Sequence, residues 1–199
     1  MEQNQALLIV DVQNDFCPGG TLPVKQGDRV IPVLNQYTEI FFKNKWPIFA
    51  SRDWHPLKTK HFEELGGPWP VHCVQNTEGA KFYPKLNLPK NTIIISKGMD
   101  PYKDSYSAFQ AVYEHNTELK KILVNLRITT LFVGGLATDY CVKSTVLDAL
   151  KYGFKVNLLI DAIKGVNLNP EDSTKAIEAM VKSGAQKMTL AQFLKTIPQ

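Results

Sequence analysis

Ala6-Leu-Leu-Ile-Val10-Asp11 is five apolar residues in succession stopped by a carboxylate. A run this short, with no polar alternation and bounded by turn residues, reads as a strand buried on both faces rather than as a helix. The pattern recurs at Pro47-Ile-Phe-Ala50, Thr92-Ile-Ile-Ile95, Thr130-Leu-Phe-Val133 and Val156-Asn-Leu-Leu-Ile160, with a weaker sixth run at Gln186 to Thr189. Between these runs the apolar spacing becomes helical, over Val30 to Lys43, Thr117 to Leu126, Thr138 to Tyr152 and Pro170 to Ser183. Alternating strand and helix predict an α/β domain with a doubly wound, mostly parallel six-stranded sheet and helices on both faces. Two stretches break the alternation, Asp53 to Leu86 and Gly98 to His115, rich in proline and glycine and long enough to build a site.

The chain has 199 residues, against about 150 for a typical domain, so a single domain over 1–199 with well-developed loops is expected. Its 44% hydrophobic and 21% charged content excludes disorder and fibrous roles. The 23 basic and 19 acidic residues give a net charge of +4, but the densest pairs are only Lys58/Lys60 and Lys120/Lys121. No basic stripe of the kind that tracks phosphates is present, so no nucleic-acid partner is expected. The cysteines at 17, 73 and 141 cannot pair completely and show no Cys-x-x-Cys spacing, which fits a reducing compartment. The first five residues are acidic and polar where a secretory signal is basic, and no apolar run approaches the roughly 18 residues of a membrane span. A cytoplasmic protein without membrane contact is the expectation, and a homo-oligomer is compatible with the sequence.

In open α/β sheets ligands bind beyond the carboxyl ends of the strands, so the residue after each apolar run carries the information. Those residues are Asp11, Arg52-Asp53, Ser96-Lys97, Gly134-Gly135 leading to Asp139 and Cys141, and Asp161. Asp161 reads as a cap of a following element rather than as a site residue. Cys141, near the start of a helix, is the nucleophile candidate, since helix-terminal amides and a nearby lysine favour a thiolate. Lys97 would add that charge, and Asp11 could take the thiol proton and pass it to a leaving amine. Cys17 and Cys73 read as inert packing. Asp53 and His55 are two apart on an extended chain and so share a side, with Trp54 facing away. His72, with His61 in the same loop, completes a carboxylate-plus-imidazole set suited to zinc, iron or manganese. His115, beside Glu114, reads as a solvated surface residue.

Together these residues resemble the nicotinamidase branch of the isochorismatase-like cysteine hydrolases, from Leu7 to about Ala185. Asp11-Val-Gln-Asn-Asp-Phe-Cys-Pro-Gly-Gly20 is similar to the family's first-strand signature, Arg52-Asp-Trp-His55 and Trp69-Pro-Val-His-Cys73 to its metal motifs, and Gly134-Gly-Leu-Ala-Thr-Asp-Tyr-Cys141 to its nucleophile motif. The resemblance implies a catalytic trio of Asp11, Lys97 and Cys141 and an isochorismatase-like hydrolase fold. It implies metal ligands Asp53, His55 and His72, with His61 as an additional ligand found in some members, for one divalent ion, zinc ahead of iron or manganese. It further implies an oxyanion hole from the backbone N–H groups of Ala137 and Cys141, a cis peptide at Leu136-Ala137, and a substrate pocket walled by Phe16, Trp69 and Tyr106. The activity so implied is hydrolysis of nicotinamide to nicotinate and ammonia in NAD salvage, through a cysteine thioester, with pyrazinamide as a further substrate. The alternatives are an amidase of the same superfamily acting on another small carboxamide, and a catalytically silent binding protein of the same fold.

Overall fold

The computed structural model describes residues 4–197. Part of the polar amino-terminal stretch and the last two residues of the expected domain therefore lie outside the described residues. The order of elements is β1 (Gln5–Val10), α1 (Ile31–Lys43), β2 (Ile48–Asp53), β3 (Ile93–Lys97), β4 (Val112–Tyr113), β5 (Thr117–Glu118), α2 (Leu119–Asn125), β6 (Thr130–Leu136), α3 (Lys143–Lys151), β7 (Lys155–Lys164), α4 (Asp172–Lys182), β8 (Gln186–Met188) and α5 (Leu190–Leu194).

The sheet has eight strands in the order β5-β4-β3-β2-β1-β6-β7-β8. The six expected strands are all present and pair in parallel. The two additional strands, β4 and β5, are two-residue antiparallel pieces appended beyond β3. They lie inside the long 98–115 segment and at its exit, and are too short to carry a period that a sequence reading could detect.

Side chains along β1 alternate between two cores. Leu7 and Ile9 pack with Leu34, Tyr37 and Phe41 of α1 and Phe193 of α5. Ala6, Leu8 and Val10 pack with Leu119 and Leu123 of α2, Val146 of α3 and Met180 of α4. A strand that is apolar throughout is thus explained by helices on both faces. Phe193 sits 4.8 Å from Phe132 and 5.6 Å from Phe41, so the short α5, which no sequence period announces, is anchored by one aromatic plug. Thr189 and Gln192 form a reciprocal capping box at its start. Asp161 Oδ2 accepts the Leu190 N–H at 2.7 Å, the capping role expected of it. The expected α4 start at Pro170 moves to Asp172, and Gly184, at φ +114°, follows the helix end.

Because β1 is flanked by β2 on one side and β6 on the other, the winding reverses between β1 and β6. That reversal opens a crevice at the strands' carboxyl ends. Glycine is required there at Gly135, which has φ +122°, and where a Cβ would stand 2.1 Å from the Val10 carbonyl oxygen.

Candidate functional site

Four neighbouring parallel strands, in the spatial order β3, β2, β1, β6, end in or run directly into Lys97, Asp53, Asp11 and the segment bearing Cys141. Lys97 and Asp53 are register partners, so their side chains rise from the same level of the sheet. Asp11 follows the last residue of β1 with φ 49°. After β6 the Leu136–Ala137 peptide is cis, as the resemblance implies. The expected helix over 138–152 begins with a wide π-type turn, Thr138–Val142, before α3. Such turns recur at functional sites.

Lys97 is 1% exposed and is the hub of this group. Its Nζ lies 2.9 Å from Asp11 Oδ2 and 3.5 Å from Cys141 Sγ, donates to Asp53 Oδ1 and reaches the Ser105 carbonyl at 3.3 Å. Ser51 Oγ donates to Asp11 Oδ1 at 2.7 Å. Burial favours neutral lysine, but Asp11, Asp53 and Cys141 overrule it and hold Lys97 firmly charged. The two carboxyl groups separate in behaviour. Burial raises Asp11 above the usual carboxylate range despite Lys97, while burial of Asp53 is outweighed by Lys97, His55 and His72, which hold it below that range. Asp11 is therefore the group suited to carry a proton and Asp53 the one that stays ionised.

Cys141 stands under opposing influences. Burial raises its thiol well above the ordinary value, Lys97 lowers it, and the negative charges of Asp11 and Asp53 raise it again. Lys97 Nζ donates to Sγ at 3.5 Å, and a carboxylate oxygen of Asp11 lies within 4.8 Å of the same sulfur. Cys17, pushed up to about 12 by burial and by Asp28, and Cys73, raised by burial and nearby carboxylates, are buried and unreactive in character, as expected.

The remaining ligand candidates come from the loop after β2. His55, His61 and His72 are all buried, and one nitrogen of each lies within 4.8 Å of the others'. Asp53 Oδ2 faces them, 3.7 Å from His55 Nε2 and 3.9 Å from His72 Nε2. Trp54 points away and stacks under the Arg52 guanidinium at 3.7 Å, as the two-residue period requires. Gly98, at φ +73°, lets the chain pass where a Cβ would meet His55 Cε1 at 2.5 Å.

The donor chemistry fits a divalent ion. His72 Nδ1 donates to the Pro70 carbonyl at 2.7 Å, which leaves Nε2 as a lone-pair donor, and burial pushes the ring down to about 4, so it is neutral. His61 Nδ1 donates to Asp104 Oδ1 at 2.6 Å, which likewise leaves its Nε2 as the lone-pair donor. Both ring nitrogens of His55 are buried without a hydrogen-bond partner. An orphaned buried polar atom costs roughly 1–3 kcal/mol, which coordination would relieve. One carboxylate with three imidazoles matches zinc, iron or manganese.

Above both clusters lies a pocket of about 440 Å³, counting its open mouth, walled by Phe16, Trp69, Tyr106, Tyr140, Ala137 and Cys141 with Asp53, His61 and His72 at one end. Trp69 Nε1 donates to the Tyr106 hydroxyl at 2.9 Å, and the Trp69 ring meets Tyr140 edge-on at 4.9 Å. All three aromatics singled out from the sequence face this space. Asp11 and Lys97 do not line it and lie behind Cys141, in contact with it.

Four residues escaped sequence reasoning. Tyr140 is the residue before Cys141, and Ser51 is the fourth residue of β2. Gln13 is fully buried and pairs with both main-chain groups of Asp53: Oε1 accepts its N–H at 2.7 Å and Nε2 donates to its carbonyl at 2.8 Å and to the Ala80 carbonyl at 2.9 Å. Asp104 sits in the second long loop. His115 is exposed, as expected.

An isochorismatase-domain family model matches residues 5–192. The chain belongs to the isochorismatase family. Among curated members, the nicotinamidase of Escherichia coli K12 is 42% identical over 96% of this chain and 98% of its own length. Among solved members, a pyrazinamidase of Pyrococcus horikoshii in complex with zinc superposes with a TM-score of 0.87 at 46% identity, covering 94% of this chain and 99% of that one. PnC1 from L. infantum in complex with nicotinate gives a TM-score of 0.85 at 33% identity over 96% of each chain. This isochorismatase-family chain also has, among its described residues, no helix long and apolar enough to cross a membrane.

Proposed function

We propose that this protein is a metal-containing nicotinamidase, an amidohydrolase that converts nicotinamide to nicotinate and ammonia and also accepts pyrazinamide. The observation that carries the reading is the meeting of two clusters on Asp53: Oδ1 binds Lys97, which touches Cys141, while Oδ2 faces the imidazoles. That arrangement suits a small flat substrate with an amide at one end and a ligating ring nitrogen at the other. The nicotinamidase and pyrazinamidase relatives, one of them in complex with zinc, point the same way.

In this reading Asp53, His55, His61 and His72 hold one divalent ion, with zinc the first candidate. When bound, the ion supplies a Lewis-acidic anchor for the pyridine nitrogen. Phe16, Trp69 and Tyr106 clasp the ring and exclude water from its faces. Cys141 Sγ adds to the carboxamide carbon as its proton passes to Asp11. Lys97 stabilises the sulfur as charge develops on it. The tetrahedral oxyanion is taken by the backbone N–H groups of Ala137 and Cys141, a kind of contact worth roughly 3–4 kcal/mol in acyl transfer. Asp11 then returns the proton to the nitrogen, the C–N bond breaks and ammonia leaves. Water, deprotonated by Asp11, hydrolyses the thioester to nicotinate and restores the thiol. The product feeds NAD salvage, consistent with a reducing cytoplasmic setting and a single domain over 1–199.

Ammonia release from nicotinamide, with metal content measured on the same sample, tests the reading. One bound divalent ion and equal yields of ammonia and nicotinate are expected. Full turnover of nicotinamide after chelation would instead place the imidazole cluster in a structural role and overturn the anchoring by the ion.

A further inference from the structure

The three imidazoles are oriented in three different ways. His72 is held by the Pro70 carbonyl two residues away on its own loop, and His55 is held by no hydrogen bond to either ring nitrogen. His61 alone depends on a side chain from elsewhere in the chain, Asp104, 43 residues on, in the 98–115 loop. A carboxylate can only accept, so the Asp104 bond places hydrogen on His61 Nδ1 and turns the Nε2 lone pair inward. The His61 ring lies nearly parallel to His55 at 4.7 Å between centroids, with an interplanar angle of 17°, and this stacked pose has no other polar restraint on it.

The loop that carries Asp104 also carries the pocket. Tyr106, two residues on, accepts from Trp69, and the Ser105 carbonyl accepts from Lys97. Pro101 O receives the Lys60 N–H at 2.9 Å and the Thr59 hydroxyl at 3.3 Å, so the two long loops are stitched together on either side of the Asp104–His61 bond.

We propose that Asp104 is a positioning residue for His61: it makes that imidazole the third nitrogen ligand of the ion and couples occupancy of the ion site to the order of the loop that forms the Tyr106 wall. The proposal rests on the metal-site reading above. The Asp104 side chain is 54% exposed, so its removal opens no core cavity and the protein should still fold, with His61 Nδ1 the group that loses its partner.

The test is zinc affinity by competition with a chromogenic chelator on Asp104→Ala, Asp104→Asn, His61→Ala and the Asp104→Ala/His61→Ala double variant, with hydrogen exchange over 98–110 in the presence and absence of zinc. Loss of such an outer partner typically weakens metal binding by about 10- to 100-fold, and that loss is expected in Asp104→Ala. Asp104→Asn, which keeps an acceptor oxygen, should recover most of it. The double variant should bind no more weakly than His61→Ala alone, and zinc should slow exchange at Ser105 and Tyr106 in the wild type but not in Asp104→Ala. Wild-type affinity in Asp104→Ala, or a further loss in the double variant, overturns the proposal while leaving the metal site standing. A wild-type protein that takes up no zinc overturns the metal reading and this role with it.

Discussion

The thiol centre and the imidazole cluster share one carboxylate, Asp53, yet they are built in opposite ways. Lys97 ends β3, Asp11 directly follows β1 and Cys141 sits in the π-type turn that continues β6, so all three are carried by the carboxyl ends of parallel strands of one sheet. His55, His61 and His72 lie on irregular chain, where each ring's direction comes from a separate local contact or from none. A group fixed by the ladder can be fully desolvated and still hold its partners, as Lys97 does between two carboxyl groups. A group fixed by a loop needs its own orienting bond, and the cluster is completed only when something joins its free nitrogens. Damage to the first region should therefore remove chemistry, and damage to the second should weaken binding.

Cys141→Ala is expected to show the largest effect, a fall in the nicotinamide turnover rate of at least about 10⁴-fold, as nucleophile losses do elsewhere. Zinc content should stay unchanged, and ammonia release with metal analysis reads both. Next comes Asp11→Asn. Loss of a positioned acid–base group costs about 10²- to 10⁴-fold, and here the loss should fall on kcat with KM nearly constant, in steady-state kinetics. Lys97 keeps Asp53 as a partner in that variant, so the thermal midpoint separates lost chemistry from lost fold.

Metal removal should produce the opposite split. Chelated protein is expected to show a rise in KM of about tenfold or more, the loss of one good anchoring contact, with kcat changed less than KM. If kcat collapses and KM holds, the ion belongs to the chemical step and the contrast between the regions is wrong. Gln13→Ala probes the seam. It leaves the Asp53 N–H and carbonyl and the Ala80 carbonyl without their partner, at about 1–3 kcal/mol per buried group. A stability loss of about 3 kcal/mol in urea unfolding is expected, with only a few-fold change in turnover, since Asp53 keeps Lys97 as its fixed point.

How much of this was legible follows the same division. The strand ends could be read because burial on both faces writes a strand as an uninterrupted apolar run, and the polar residue that stops it is conspicuous; Asp11, Asp53 and Lys97 all stood out in this way. The π-type turn that carries Cys141 falls in a stretch whose spacing predicts ordinary helix, and its wider start has no signal in Thr138-Asp-Tyr-Cys141 beyond position. The β4 and β5 pieces and α5 escaped because two to five residues cannot display a period. In the loops, residue type alone picked out the histidines, but Asp104 looks like any polar loop residue until the fold brings it 43 positions back to His61. Gln13 lies in the Asp11–Gly20 stretch, and nothing in sequence says that an amide will be buried against a neighbouring strand's main chain. The electrostatic balance at Cys141 was beyond reach for a further reason. It is the sum of burial, one cation and two carboxylates that meet only in space.

The central claim is that Cys141 forms a thioester with the pyridine carbonyl, and the partitioning of that intermediate tests it most directly. With hydroxylamine present, nicotinamide and methyl nicotinate should yield nicotinohydroxamate and nicotinate in the same ratio, because both pass through one nicotinoyl-enzyme. Ratios that differ with the leaving group would show that water attacks the substrate itself, and would contradict the account.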